Sequence, residues 1–91
     1  MESPLARIME RLGYTRAELA RKLGVPETMI ADICDGISVG ERAYRALIAR
    51  FKLEVELEHL IDLQKEFCAA RQLERIERLR QGSDEGKAGD V

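Results

Sequence analysis

The stretch TRAELARKLGVPETMIADICDG, Thr15 to Gly36, decides the fold of this chain. Thr15 and Glu18 fit a capping box, in which each side chain satisfies a free backbone N–H at a helix start. Leu19, Ala20 and Leu23 recur at helical spacing on one face. Gly24 stands where a helix ends in a left-handed residue, a conformation that costs glycine nothing sterically. Pro26 suits the first turn of a following helix, where its missing N–H has no helical partner to lose. Ile30, Ile33 and Cys34 form the apolar stripe of that second helix, and Gly36 closes it. Ala20 sits where the two helices must touch, and a larger side chain there would push them apart. Two short helices crossing at a tight turn make a helix-turn-helix.

Upstream of that stretch, Ser3-Pro4 reads as an N-cap followed by proline at the first helical position, and Gly13 ends that helix. Ser38 with Glu41 predicts a second capping box, opening a helix that runs to about Phe51. Glu54, Glu56 and Glu58 cluster where the next helix is expected to begin, a placement that its macrodipole favours. No Gly or Pro then interrupts the chain until Gly82. The expected organisation is a head over residues 1–53, a long C-terminal helix over 54–81, and a polar, glycine-rich, disordered tail over 82–91. With two prolines and no alternating β-branched runs, the chain reads as all-α.

The order Leu19-Ala20, Leu23-Gly24-Val25, Ile30, Ile33, Gly36 resembles the Cro/lambda-repressor type of helix-turn-helix domain, the XRE family. Upstream, Leu5, Ile8, Met9 and Leu12 match that family's first helix. Downstream, Tyr44, then Leu47-Ile48-Ala49-Arg50-Phe51-Lys52-Leu53, then Val55 and Leu57, look like its fourth helix and the approach to its fifth. The likeness covers residues 3 to 60, roughly two thirds of the chain. It implies a lambda-repressor-like helical bundle that binds operator DNA, usually as a homodimer, with the second motif helix in the major groove. By that resemblance Glu27, Thr28, Ala31 and Asp32, with Asp35 beyond, lie where base edges are read. Here the sequence departs from the family, which commonly places Gln, Ser, Asn, Arg or Lys at such positions, whereas this helix carries three acids and no base.

Two physical readings of that surface stand side by side. A carboxylate of Glu27 or Asp32 can accept from cytosine N4, Thr28 can bond several edges, and Ala31 can touch a thymine methyl. Affinity would then come from cations on phosphates, with Arg16, Arg42 and Arg45 at helix starts beside the motif. Alternatively, the fold has lost DNA binding and the acidic helix docks a basic protein partner. The first reading gives a cytoplasmic transcriptional regulator of phage or mobile-element type, one recognition helix per half-site of an inverted repeat, about one helical turn apart. The second gives an acidic helical adaptor.

Charge divides the chain. Residues 1–53 hold nine Lys and Arg against seven acids, whereas residues 54–91 hold six against ten, which together give the net charge of −2. A mildly basic head on an acidic rear suits one face presented to a polyanion.

The expected 54–81 helix would be about 42 Å long, more than a head of this size can cover. Leu60, Leu63, Phe67 and Ala70 follow the 3-4-3 spacing of a helix-packing seam, and Leu73, Ile76 and Leu79 extend it. Gln64 and the Arg and Glu residues between them are expected to face solvent. An apolar stripe beyond the head needs a partner, and the simplest is the same helix of a second copy, with Leu60, Leu63, Phe67, Ala70, Leu73 and Ile76 as the dimer interface. On this reading a chain truncated after Leu57 would be monomeric. A helix that breaks near Ala69-Ala70 and folds back on its head is the alternative.

The remaining motifs read blandly. Cys34 and Cys68 have no metal-site spacing and suit reduced, buried thiols of a cytosolic protein. His59 has no convincing ligand partners, so neither a metal nor another cofactor is expected. Tyr14 and Tyr44 read as packing residues, Tyr44 and Tyr14 each with a hydrogen-bonded hydroxyl. Arg71, Arg75, Arg78 and Arg80 read as dipole partners and ion-pair donors among Glu74 and Glu77. No nucleophile–base arrangement or phosphate loop is present, so no enzymatic activity is expected, and no apolar run is long enough to span a bilayer.

Overall fold

The computed structural model describes residues 2–80 with their side chains. Its elements are α1 (Pro4–Leu12), α2 (Arg16–Leu23), α3 (Glu27–Cys34), α4 (Glu41–Phe51) and α5 (Leu57–Asp90). No strand occurs among the described residues, and the long C-terminal helix is present as expected. The tail expected over 82–91 lies outside those residues.

The caps of the first two helices form as the sequence dictates. Ser3 Oγ accepts from Ala6 N–H at 3.0 Å, and Pro4 opens α1. Thr15 and Glu18 make the reciprocal box, Glu18 N–H to Thr15 Oγ1 and Thr15 N–H to Glu18 Oε1, each at 3.2 Å. Hydrogen bonding with Thr15, first its side chain and then its backbone N–H, holds the Glu18 carboxyl below its ordinary pKa. Gly24 ends α2 at φ 68°. Pro26 is the N-cap of α3 rather than its first residue.

Leu5, Met9, Leu19, Ala20, Ile30, Ile33, Ala43, Tyr44, Leu47 and Leu60 form one buried core. α2 packs on α3 and α4, α1 packs on α3, and α5 lies across α4 and α1. Leu19, Ala20, Ile30 and Ile33 are the inward residues of the motif, and all four are buried. Cys34 is half-buried, and its desolvation raises the thiol's pKa.

Three expectations are corrected. Ser38 does not cap α4: the N-cap is Gly40 at φ 72°, with no side-chain cap bond. The Ser38 N–H goes back to Asp32 O and its carbonyl is bonded from α5, so the loop is tied to its neighbours instead of to α4. A Cβ at Gly40 would overlap the Ile33 side chain, so only glycine fits there. Second, α5 begins at Leu57, not Glu54, and of the three glutamates only Glu58 lies in its first turn. Lys52 adopts a left-handed φ of 51° and stops α4. Leu53, Val55 and Leu57 then alternate inward against exposed Lys52, Glu54, Glu56 and Glu58, the period-two pattern of extended chain.

Third, the first half of α5 belongs to the head, so the packing boundary is not at residue 53. Leu60 and Phe67 are buried against this chain's own helices instead of awaiting a second copy. The helix runs unbroken through Ala69-Ala70. Gln64, expected in solvent, is completely buried. Its amide nitrogen donates to Ile33 O at 2.9 Å and Ser38 O at 3.0 Å, while Oε1 accepts from the Tyr44 hydroxyl at 2.6 Å. The same hydroxyl accepts from Leu5 N–H at 3.1 Å, one of the amides that α1 leaves without a helical partner. One side chain thus fastens α5 to the end of α3, the following loop, α4 and, through Tyr44, α1. Burial pushes the Tyr44 phenol well above its ordinary pKa, so the network stays uncharged.

Candidate functional site

The outward face of α3 carries the residues expected to read a ligand. Glu27 and Thr28 are exposed at its first turn, and Ala31 and Asp32 are half-buried one turn on. Apart from Glu27, only the short side chains of Thr28, Ala31 and Asp32 stand on this face, because Met29, Ile30 and Ile33 point toward the core. The loop after α3 puts Ile37, 61% exposed, beside the helix end. Nothing in the motif's inward spacing marks Ile37.

The three flanking arginines differ. Arg16, first residue of α2, has Nη2 3.7 Å from Asp35 Oδ1, both side chains about half exposed. Arg45 bonds Glu41 within α4 at 2.7 Å. Such exposed pairs are worth only a few tenths of a kcal/mol to about 1 kcal/mol, so a stronger anion can displace either carboxylate. Arg42 is exposed and has no ion-pair partner among the described residues.

Asp35 is the C-cap of α3, where a carboxylate opposes the negative end of the helix dipole and no basic residue occupies the last turn. Two arginines from elsewhere offset it. Arg16 approaches the carboxylate, and Arg75 of α5 donates Nη2–H to the Asp35 carbonyl at 2.9 Å. Arg75 therefore does more than the ion pairing along its own helix that its neighbours implied. The available signal was spacing: Leu60, Gln64, Phe67, Arg71, Arg75 and Arg78 fall on one stripe of a helix, three or four residues apart.

That stripe also explains the seam. Leu60 and Phe67 lie on the head-facing side, but Ala70, Leu73, Ile76 and Leu79 are each three residues apart. A step of three turns a helix about 300°, so every step slips about 60° backward and the apolar row leaves the seam. Of the expected dimer residues, Leu60 and Phe67 are consumed by the core and Ala70 is half-buried. Leu63, Leu73 and Ile76 are 38%, 58% and 50% exposed. Leu63 lines a groove of about 390 Å³ between α1 and α5, with Ile8 and Arg11 opposite.

Tyr14 packs on Phe51 with ring centroids 5.8 Å apart and carries Lys22 over its face. His59 is exposed, and no cluster of three or more potential metal ligands occurs among the described residues. No helix there is long and apolar enough to cross a membrane. No protein-family model matches the chain, and comparisons with curated proteins and with solved structures likewise gave no match.

Proposed function

We propose that this chain is a sequence-specific DNA-binding regulator of the Cro/lambda-repressor helix-turn-helix type, acting as a homodimer on an inverted repeat. The observation that carries the reading is the outer face of α3. Thr28 and Ala31 leave it uncluttered, and the helices before and after it, α2 and α4, carry Arg16, Arg42 and Arg45 in their first turns or just beyond, all exposed. A helix of that profile fits a major groove, with phosphate contacts setting its position and Glu27, Thr28, Ala31 and Asp32 meeting base edges. Exposed Leu73, Ile76 and Leu79 on α5 favour pairing with a second copy.

The test is binding to duplexes from the chain's own upstream DNA, titrated with salt. Three arginines per protomer make six phosphate contacts in a dimer, for which affinity falls about a thousandfold between roughly 50 and 200 mM salt. A flat response, or no binding at low salt, rules the reading out.

One observation favours a second reading, an acidic adaptor for a basic protein. Arg16 and Arg45 already have carboxylate partners, which leaves the α3 face acidic. If Glu27→Lys creates DNA binding where the wild-type chain has none, the adaptor reading replaces the regulator.

A further inference from the structure

We infer that Arg75 and Arg78 of α5, together with Arg16 of α2, form a cationic ledge at the end of α3 that takes backbone phosphates of double-stranded DNA, with Asp35 as the internal counter-ion that phosphate displaces. The inference deepens the DNA-binding reading above and rests on it.

The geometry starts from the stripe of α5 that faces the head. Along it the residues run Leu60, Gln64, Phe67, then Arg71, Arg75 and Arg78. The first three are buried. Where the head ends, the same stripe turns to arginine, so the overhanging part of α5 aims cations toward the side on which α3 ends. The bond from Arg75 to the Asp35 carbonyl fixes that direction. Arg71 lies at the root of the ledge, its stem against Gly36 and its Nη1 on Glu74 at 3.1 Å. Arg78 is exposed one turn beyond Arg75 and has no ion-pair partner among the described residues.

Arg16 meets Arg75 across Asp35: the one lies 3.7 Å from the carboxylate, the other 2.9 Å from the carbonyl of the same residue. Two guanidiniums converging on one residue, Arg16 at its half-exposed carboxylate and Arg75 at its carbonyl, make a site for an oxyanion, since planar guanidinium donors bond carboxylate and phosphate alike. From Arg71 to Arg78 the ledge extends about 10 Å, and B-DNA carries a charge every ~1.7 Å of its axis. The ledge also supplies what the motif lacks, because α3 carries acids and no base. Arg80 falls on the opposite side of α5 and belongs to no part of it.

The experiment measures duplex binding of the full-length chain across a salt series, on an upstream fragment and a scrambled duplex. Arg75→Ala/Arg78→Ala should weaken both complexes alike, by about tenfold or more at low salt, and make the salt slope shallower by about one per arginine removed. Arg80→Ala should leave the slope of the wild type. Asp35→Asn, which removes only the competing carboxylate, should bind several-fold tighter, a gain that no folding defect can imitate. An unchanged slope in the double variant, equal loss in Arg80→Ala, or no gain in Asp35→Asn overturns the ledge while DNA binding stands. Failure of the wild type to bind any duplex overturns both.

Discussion

The two halves of α5 share a helix and little else. From Leu57 to Arg71 it is a wall of the head, with Leu60 and Phe67 buried and a glutamine at the centre of its hydrogen bonding. From Gln72 to Arg80 it overhangs, and there leucine and isoleucine are exposed. The polar residue is inside and the apolar ones outside. Residue type is therefore a weaker guide to burial than position on the stripe, because a glutamine whose donors and acceptor all find partners costs little to bury.

Gln64 should be the position most sensitive to substitution. Gln64→Leu strands the Tyr44 O–H and takes one donor each from the Ile33 and Ser38 carbonyls, which keep the Gly36 N–H and the Cys68 thiol. Urea unfolding should register a loss of about 3 kcal/mol, since a stranded buried O–H costs roughly 1–3 and each of the two lost carbonyl bonds about 1. In the overhang, Leu73→Ala should stay within about 0.5 kcal/mol of the wild type in the monomer. Similar losses at both positions would erase the distinction.

Gly36→Ala comes next. At φ 76° glycine is suited to this backbone, and a Cβ would sit 2.8 Å from Arg71 Cγ and 3.1 Å from Phe67 Cε2. Left-handed strain and the contact with α5 together should cost about 2 kcal/mol. Gly24→Ala meets the same φ penalty with nothing within 4 Å, so the difference between the two variants isolates the packing of α5.

Leu73→Ser with Ile76→Ser alters only the overhanging half of α5. Monomer stability should hold within about 0.5 kcal/mol, while sedimentation should show weaker self-association; an unchanged dimer would place the interface in the head or the α1–α5 groove. Truncation after Leu57 is not the right control, because it removes Leu60, Gln64 and Phe67 from the core. A chain ending after Arg71 retains them.

The smallest effect concerns acid. Glu18 has a lowered carboxyl pKa in the folded chain, owing first to its bond with Thr15. Its stabilising contribution is full above the ordinary glutamate pKa and is lost as pH falls through the lower folded value. The bonds of Gln64 carry no carboxylate, so amide exchange in acid should rise first at the start of α2 and later along the first half of α5. Simultaneous rise would contradict that order.

How much was legible follows from which signals are local. Thr15, Glu18, Gly24, Ile30 and Ile33 act over three or four residues, and the sequence showed the motif almost complete. The α3 face was legible for the same reason: once Ile30 and Ile33 point inward, Glu27 and Thr28 must point out. The misread positions depend on distant partners. Gln64 is buried because the Ile33 and Ser38 carbonyls and the Tyr44 hydroxyl converge on it, and Arg75 reaches Asp35 across 40 positions of sequence. The extended link at Leu53-Glu54-Val55-Glu56 was written in a period-two pattern, but a glutamate cluster that also suits a helix start concealed it.

The bonds meeting at Gln64 carry a consequence for the timing of folding. They close separations of 20, 26 and 31 residues, and Tyr44 reaches back 39 to Leu5. Each needs two segments distant in sequence to meet, and the full set needs α1, α3, α4 and α5 together, so the complete network is expected to close after the folding barrier, when loop closure has already been met. Damage at Gln64 should therefore leave the refolding rate nearly intact and quicken unfolding, making this residue a latch on the lifetime of the native state.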